Sequence, residues 1–154
     1  MKAVLKERLD DVVGPMLFDG EQIDIATRAM VAVPSRAGSA RLGLLLSVLT
    51  LGVLAAPSSP QTRFVVLTGR RLLVLAANRA SGHPNGVVVL QHHRSMLRVA
   101  RCVSARFLLV VPVLHVDLTV TGTSDPLRLR FASPARADGQ AMVDALCGAA
   151  PDGG

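Results

Sequence analysis

The sequence predicts an α+β, mainly β fold: an antiparallel sheet curled into a partly open barrel, with a short helix before it and a helix capping its end. Three observations carry this expectation. Between Gln22 and Phe131, apolar residues repeatedly alternate with polar ones or form short β-branched runs. Turn-forming stretches such as Thr68-Gly69-Arg70-Arg71, "SGHPNG" and Gly122 to Asp125 separate those runs. Amphipathic helical spacing appears at the two ends of the chain.

Taken in order, Val4 to Val13 sets Leu5, Leu9, Val12 and Val13 at the i, i+4, i+7, i+8 positions of one helix face, and Gly14-Pro15 stops that helix. "QIDIATRAMVAV", Gln22 to Val33, sets Ile23, Ile25, Ala29, Val31 and Val33 against Asp24 and Arg28, which predicts a first strand ended by Pro34. "RFVVLTGRRLLVLAAN" holds two apolar runs, Phe64 to Leu67 and Leu72 to Ala77, about a polar turn in which Gly69 is expected to supply the positive φ of a hairpin. Val87 to Leu90 and Met96 to Val103 are the next two expected strands. "VLHVDLTV" then points Leu114, Val116, Leu118 and Val120 inward, and "PLRLRF" does the same with Leu127, Leu129 and Phe131. A tight turn between these two would set Asp117 opposite Arg130. Ser133 as N-cap, Pro134 at the first helical position, Met142 and Leu146 four apart, and Gly148 as a stop predict the closing helix. About seven short antiparallel strands tend to curl rather than stay flat.

At 154 residues, 50% of them apolar and 18% charged, the chain suits a single core and is too hydrophobic for disorder. One domain over residues 1–150 is expected, with 151–154 as a tail. Cys102 and Cys147 show no CxxC spacing, and Met1 to Asp11 is charged rather than apolar, so the expected compartment is the reducing cytoplasm.

Charge is unevenly distributed beneath the net +6. Residues 1–24 hold three basic and six acidic groups, and residues 117–154 three and five. Between Ile25 and Val116 there is no Asp or Glu, against eleven arginines and all four histidines. Such a region attracts anionic lipid, nucleic acid or an acidic protein, although a merely solvated face has the same composition.

The layout of N-terminal helix, "DGEQI" (Asp19 to Ile23) leading into the first strand, "VVLTGRRLLVL" (Val65 to Leu75) as a hairpin, a long strand pair and a closing helix resembles the bacterial pleckstrin-homology-like (PH-like) domains. The resemblance runs from about Leu5 to Leu146, and its best local marker is the Leu-Thr-x-x-Arg turn at Leu67, Thr68 and Arg71. It implies a partly open barrel capped by a helix and used for binding or self-association rather than chemistry. The chain departs from that pattern between the first and second strands, where residues 35–60 form an apolar insert.

Within this insert, Leu42 to Ala56 carries no charge. As a helix it would be about 22 Å long at ~1.5 Å per residue, short of the roughly 30 Å hydrocarbon core of a bilayer. It also joins two strands of one sheet, so a single crossing would divide the barrel across the membrane. Three placements stay open. The run can pack on the barrel as a core helix. It can meet its copy in a second chain through a face holding Leu42, Gly43, Leu45, Leu46, Ser47 and Leu49, where Gly43 and Ser47 permit close approach. Or it can dip into a membrane interface beside arginines.

No catalytic centre is visible, and no enzyme activity, cofactor or metal is expected. His92 and His93 are strand neighbours that would face opposite ways, Cys102 lacks an orienting partner and reads as a buried, inert thiol, and no serine stands in a GxSxG context. The expected function is a binding or assembly module, self-associating through the insert or attached to the inner face of the cytoplasmic membrane, with Arg36, Arg41, Arg63, Arg70 and Arg71 as the anion-binding candidates. A homo-oligomer and an anionic lipid surface are the expected partners. Nucleic acid ranks below them, because Phe18, Phe64, Phe107 and Phe131 are the sole aromatics and Phe64 and Phe131 read as core.

Overall fold

The computed structural model describes residues 3–32, 60–78, 80–107 and 111–148. Helix α1 (Ala3–Val13) ends in a 3-10 turn at Gly14–Met16. Seven strands follow: β1 (Ile23–Ala32), β2 (Gln61–Thr68), β3 (Arg71–Ala77), β4 (Pro84–His93), β5 (Leu97–Phe107), β6 (Val111–Val120) and β7 (Leu127–Ala132). Helix α2 (Arg136–Gly148) is the last described element. The strands form one antiparallel sheet in the order β4-β3-β2-β1-β7-β6-β5.

The two edges of that sheet, β4 and β5, are joined by only a 3-10 turn, Arg94–Met96. Three residues reach about 10 Å when fully extended, so the sheet must curl until its edges approach each other at this corner. No β4–β5 ladder forms, and the curl stays open. Inside it lies the larger core, where Leu67, Leu72, Leu114, Leu118, Leu129 and Phe131 meet Met142, Val143 and Leu146 of α2. On the outer side, α1 lays Leu9 and Val13 over Phe64, Val66, Leu73 and Leu75. An eleven-residue helix is marginal alone; burying Leu9 and Val13 adds about 1.5–3 kcal/mol each.

This two-sided burial explains the unbroken apolar runs of β2 and β3. Their alternate residues face α1 and the inner core in turn, so neither side is wet. Gly139 permits the close docking of α2: a Cβ there would come within 2.5–2.6 Å of the Phe131 ring.

Several local expectations are corrected. Ile23 and Ile25 do not share a face, because a bulge between them sends Ile23 toward α1 and Ile25 toward the inner core. Gly69 has no positive φ; Thr68 shapes the turn instead, its Oγ1 accepting the N–H groups of Arg70 and Arg71 at 3.2 and 3.0 Å. Asp117 pairs with Arg128 rather than Arg130, since Thr123 closes the β6–β7 turn one residue early through its N–H and Oγ1, both bonded to the Val120 carbonyl. Residues Ser133 to Ala135 form a turn and α2 starts at Arg136, with Gly139 N–H bonded to the Ala135 carbonyl. Strands β4 and β5 extend beyond the expected Val87–Leu90 and Met96–Val103. Cys102 is exposed because β5 is an edge strand, and Cys147 is exposed on α2.

Candidate functional site

Two arginine-centred arrangements stand out, one buried and one open. The buried one joins the two sequence stretches "DGEQI" and "LTGRR". The β2–β3 turn folds Arg71 back toward Glu21, and its Nε and Nη2 donate to Glu21 Oε1 and Oε2, each at 3.0 Å. Thr68 Oγ1 donates to Oε1 at 2.6 Å, and the Phe18 N–H donates to Oε2 at 3.0 Å. Arg71 also donates to the Met16 carbonyl and lies 4.2 Å from the centre of the Phe18 ring. Burial by itself would raise the Glu21 pKa from its ordinary 4.5. The hydrogen bonds from Arg71, Phe18 and Thr68, together with the Arg71 charge, outweigh that and hold it at about 2.

Arg71 is therefore corrected from an anion-binding candidate to a structural cation. Its side chain is nearly inaccessible and its charge is matched by Glu21. Arg94 plays a similar part at the corner between the sheet edges. Its Nη1 donates to Asp24 Oδ2 at 2.7 Å and the Thr68 carbonyl at 3.2 Å, and its Nη2 donates to the Ala145 carbonyl at 2.7 Å. A cation on a last-turn carbonyl complements the α2 dipole. Sequence reading gave no role to Glu21 or Arg94; Glu21 stood within the "DGEQI" stretch, and Arg94 carried no local signal.

The open arrangement is a cleft of about 460 Å³ at the end of the sheet where β1 finishes and β2 begins. Arg28, Gln61, Thr62, Arg63, Asn78 and Gly82 line it, with Ala76 and Ala77 as its apolar part. The β3–β4 loop folds around Asn78, whose Oδ1 accepts the N–H of Ala80 at 2.9 Å, and Gly82 takes a φ of +66°. That conformation favours glycine. It presents the Gly82 carbonyl to Arg28 Nη2 at 2.6 Å. Arg63 Nη2 is held by Gln61 Oε1 at 2.7 Å, while its buried Nε finds no acceptor among the described residues. His83 Nδ1, in the same loop, is likewise buried without a partner.

Two guanidinium groups, with no carboxylate among the described lining residues, make this a cationic cleft. Arg binds oxyanions such as phosphate in a fixed fork geometry. Among the described lining residues there is no nucleophile–base pair. Among the described residues no group of three or more His, Cys, Asp or Glu side chains is arranged to hold a metal ion.

Of the three candidate arginines among the described residues, Arg63, Arg70 and Arg71, it is Arg63 that lines the cleft, where it joins Arg28, which sequence reading had placed merely on the wet side of β1. Arg70 is exposed at the far end of β2, roughly 20 Å away at ~3.3 Å per residue. Arg36 and Arg41 lie outside the described residues, as do Leu42, Gly43, Leu45, Leu46, Ser47 and Leu49. Among the described residues, no helix is long and apolar enough to cross a membrane. Comparison with protein-family models found no matching family, and comparison with curated proteins found no matching relative.

Proposed function

We propose that the protein is a non-enzymatic binding module of the PH-like class that attaches to the anionic inner face of the cytoplasmic membrane, taking a lipid phosphate in the Arg28–Arg63 cleft. The PH-like reading is supported by the open seven-stranded antiparallel sheet with its terminal helix, and by the network that joins "DGEQI" to the Leu-Thr-x-x-Arg turn.

The observation that carries the membrane reading is the cleft's position. Ala32 leaves the sheet and Gln61 re-enters it at the same end, so the connection whose sequence contains Leu42 to Ala56 starts and finishes at the cleft's end of the sheet. A cationic cleft together with an apolar stretch in the adjoining connection supplies the two weak signals that reversible attachment requires.

Co-sedimentation with vesicles tests this. The wild-type chain is expected to bind vesicles rich in phosphatidylserine and to leave neutral phosphatidylcholine vesicles largely unbound. At about 1 kcal/mol per basic group near an anionic surface, Arg28→Gln with Arg63→Gln should weaken partitioning by roughly 30-fold. Leu45→Asp with Leu49→Asp should weaken it through the apolar signal. Binding to neither vesicle by the wild type would remove the proposal.

A further inference from the structure

We propose that the β3–β4 loop positions the cleft's arginine: the Gly82 carbonyl, presented by a left-handed backbone, holds the Arg28 guanidinium ready for a phosphate oxyanion. This rests on the reading of the cleft given above and adds the residues that set the strength of the site.

The loop runs from Asn78 to His83, between the end of β3 and the start of β4, and Asn78 organises it. The Asn78 N–H donates to the His83 carbonyl at 2.8 Å, and the Asn78 carbonyl accepts the Gly82 N–H at 2.7 Å. Its side-chain Oδ1 accepts the N–H groups of Ala80 and Ser81 at 2.9 and 3.4 Å, a local turn typical of asparagine. The Gly82 carbonyl stands outside this network. At a φ of +66° it meets Arg28 Nη2 of β1 at 2.6 Å.

A Cβ at Gly82 would lie 3.8 Å from Arg28 Nη2, an ordinary contact. Space for a side chain is therefore available, and what the position demands is the left-handed conformation. Most L residues resist it, while asparagine adopts it readily.

Arg28 is held on a second side as well. Its guanidinium carbon lies 5.1 Å from the centre of the Phe64 ring, and Phe64 is fully buried beneath Leu9 and Val13 of α1. A guanidinium carries five N–H donors in a rigid fork, and the carbonyl engages one of its nitrogens. Ring and carbonyl together fix the plane of that fork, so an oxyanion binds without first ordering a long, flexible side chain. The Arg28–Gly82 bond is exposed, where water competes for both groups, so it adds little to folding and its consequence is positional. Arg63 is held by Gln61 of its own strand, so the loop's hold falls on Arg28.

Two probes test this and separate a lipid headgroup from phosphate alone: vesicles rich in phosphatidylserine, read by co-sedimentation, and inorganic phosphate, read on the Arg63 side-chain N–H signal by nuclear magnetic resonance. Gly82→Ala is expected to bind both roughly 5-fold or more weakly, from the cost of the left-handed conformation. Gly82→Asn should recover most of that loss. In an Arg28→Gln background, Gly82→Ala should add no further loss, because the loop acts through that side chain; a merely structural loop would lower binding equally in both backgrounds. Circular dichroism checks the fold of each variant. Equal binding by Gly82→Ala and wild type overturns the inference. So do equal losses in the two backgrounds, a Gly82→Asn variant no better than Gly82→Ala, or a wild type that binds neither probe. A wild type that binds phosphate in this loop-dependent way but no vesicle removes the membrane reading and supports the positioning role.

Discussion

The Arg71 guanidinium lies side-on to the Glu21 carboxylate, Nε to Oε1 and Nη2 to Oε2 at 3.0 Å each, across fifty positions of sequence. Both side chains are almost fully withdrawn from water. Such a pair is costly to bury and far more costly to break, because removing one partner leaves the other charged and uncompensated. Glu21→Gln should therefore lower stability by about 3–5 kcal/mol, read as a fall in the urea midpoint. The exposed Asp24 partner of Arg94 provides the contrast, and Asp24→Asn should cost at most about 1 kcal/mol.

The same pair sets the acid limb of stability. Glu21 has a folded pKa of about 2 against 4.5 ordinarily, so its contribution is complete above pH 4.5 and is lost as pH falls toward 2. His92 acts in the same direction at higher pH. Burial lowers its pKa below 6.5, so the unfolded chain takes up the proton first and stability declines as pH falls from 6.5. Thermal melts across pH 2 to 7 should show both declines, and Glu21→Gln should flatten the lower one.

Gly139 allows α2 to rest directly on Phe131. Alanine at an interior helix position ordinarily stabilises by up to about 1 kcal/mol relative to glycine. Here the added methyl would overlap the Phe131 ring at 2.5–2.6 Å, so Gly139→Ala should instead destabilise by about 1–3 kcal/mol in equilibrium unfolding. A gain in melting temperature would show that the helix stands farther from β7.

Arg94 ties β1, β2 and the last turn of α2 at the corner between the sheet edges. Arg94→Met keeps most of the stem but leaves the Ala145 and Thr68 carbonyls short of a donor. The expected loss is about 1–3 kcal/mol, accompanied by faster amide exchange in the last turn of α2 than in β2.

Much of this architecture could be read before any coordinates. The continuous apolar runs at Phe64–Leu67 and Leu72–Ala77 indicated strands, and the alternation in β6 and β7 indicated which residues enter the core. The cleft was only half legible. Arg63 could be singled out by its charge beside an apolar stretch, but linking it to Arg28 requires the β1–β2 register, which the long connection between those strands leaves open. Arg71 was misread for a related reason: a guanidinium in a polar turn resembles a surface charge until the partner fifty positions earlier is placed against it.

Residue periodicity and turn chemistry, which act within a few positions, specify where strands and helices form and which faces are apolar. The curling of the sheet decides the rest: which arginine is buried against Glu21 and which two reach the cleft. Those outcomes depend on register and closure between segments far apart in the chain, where a shift of one residue turns a side chain to the opposite face.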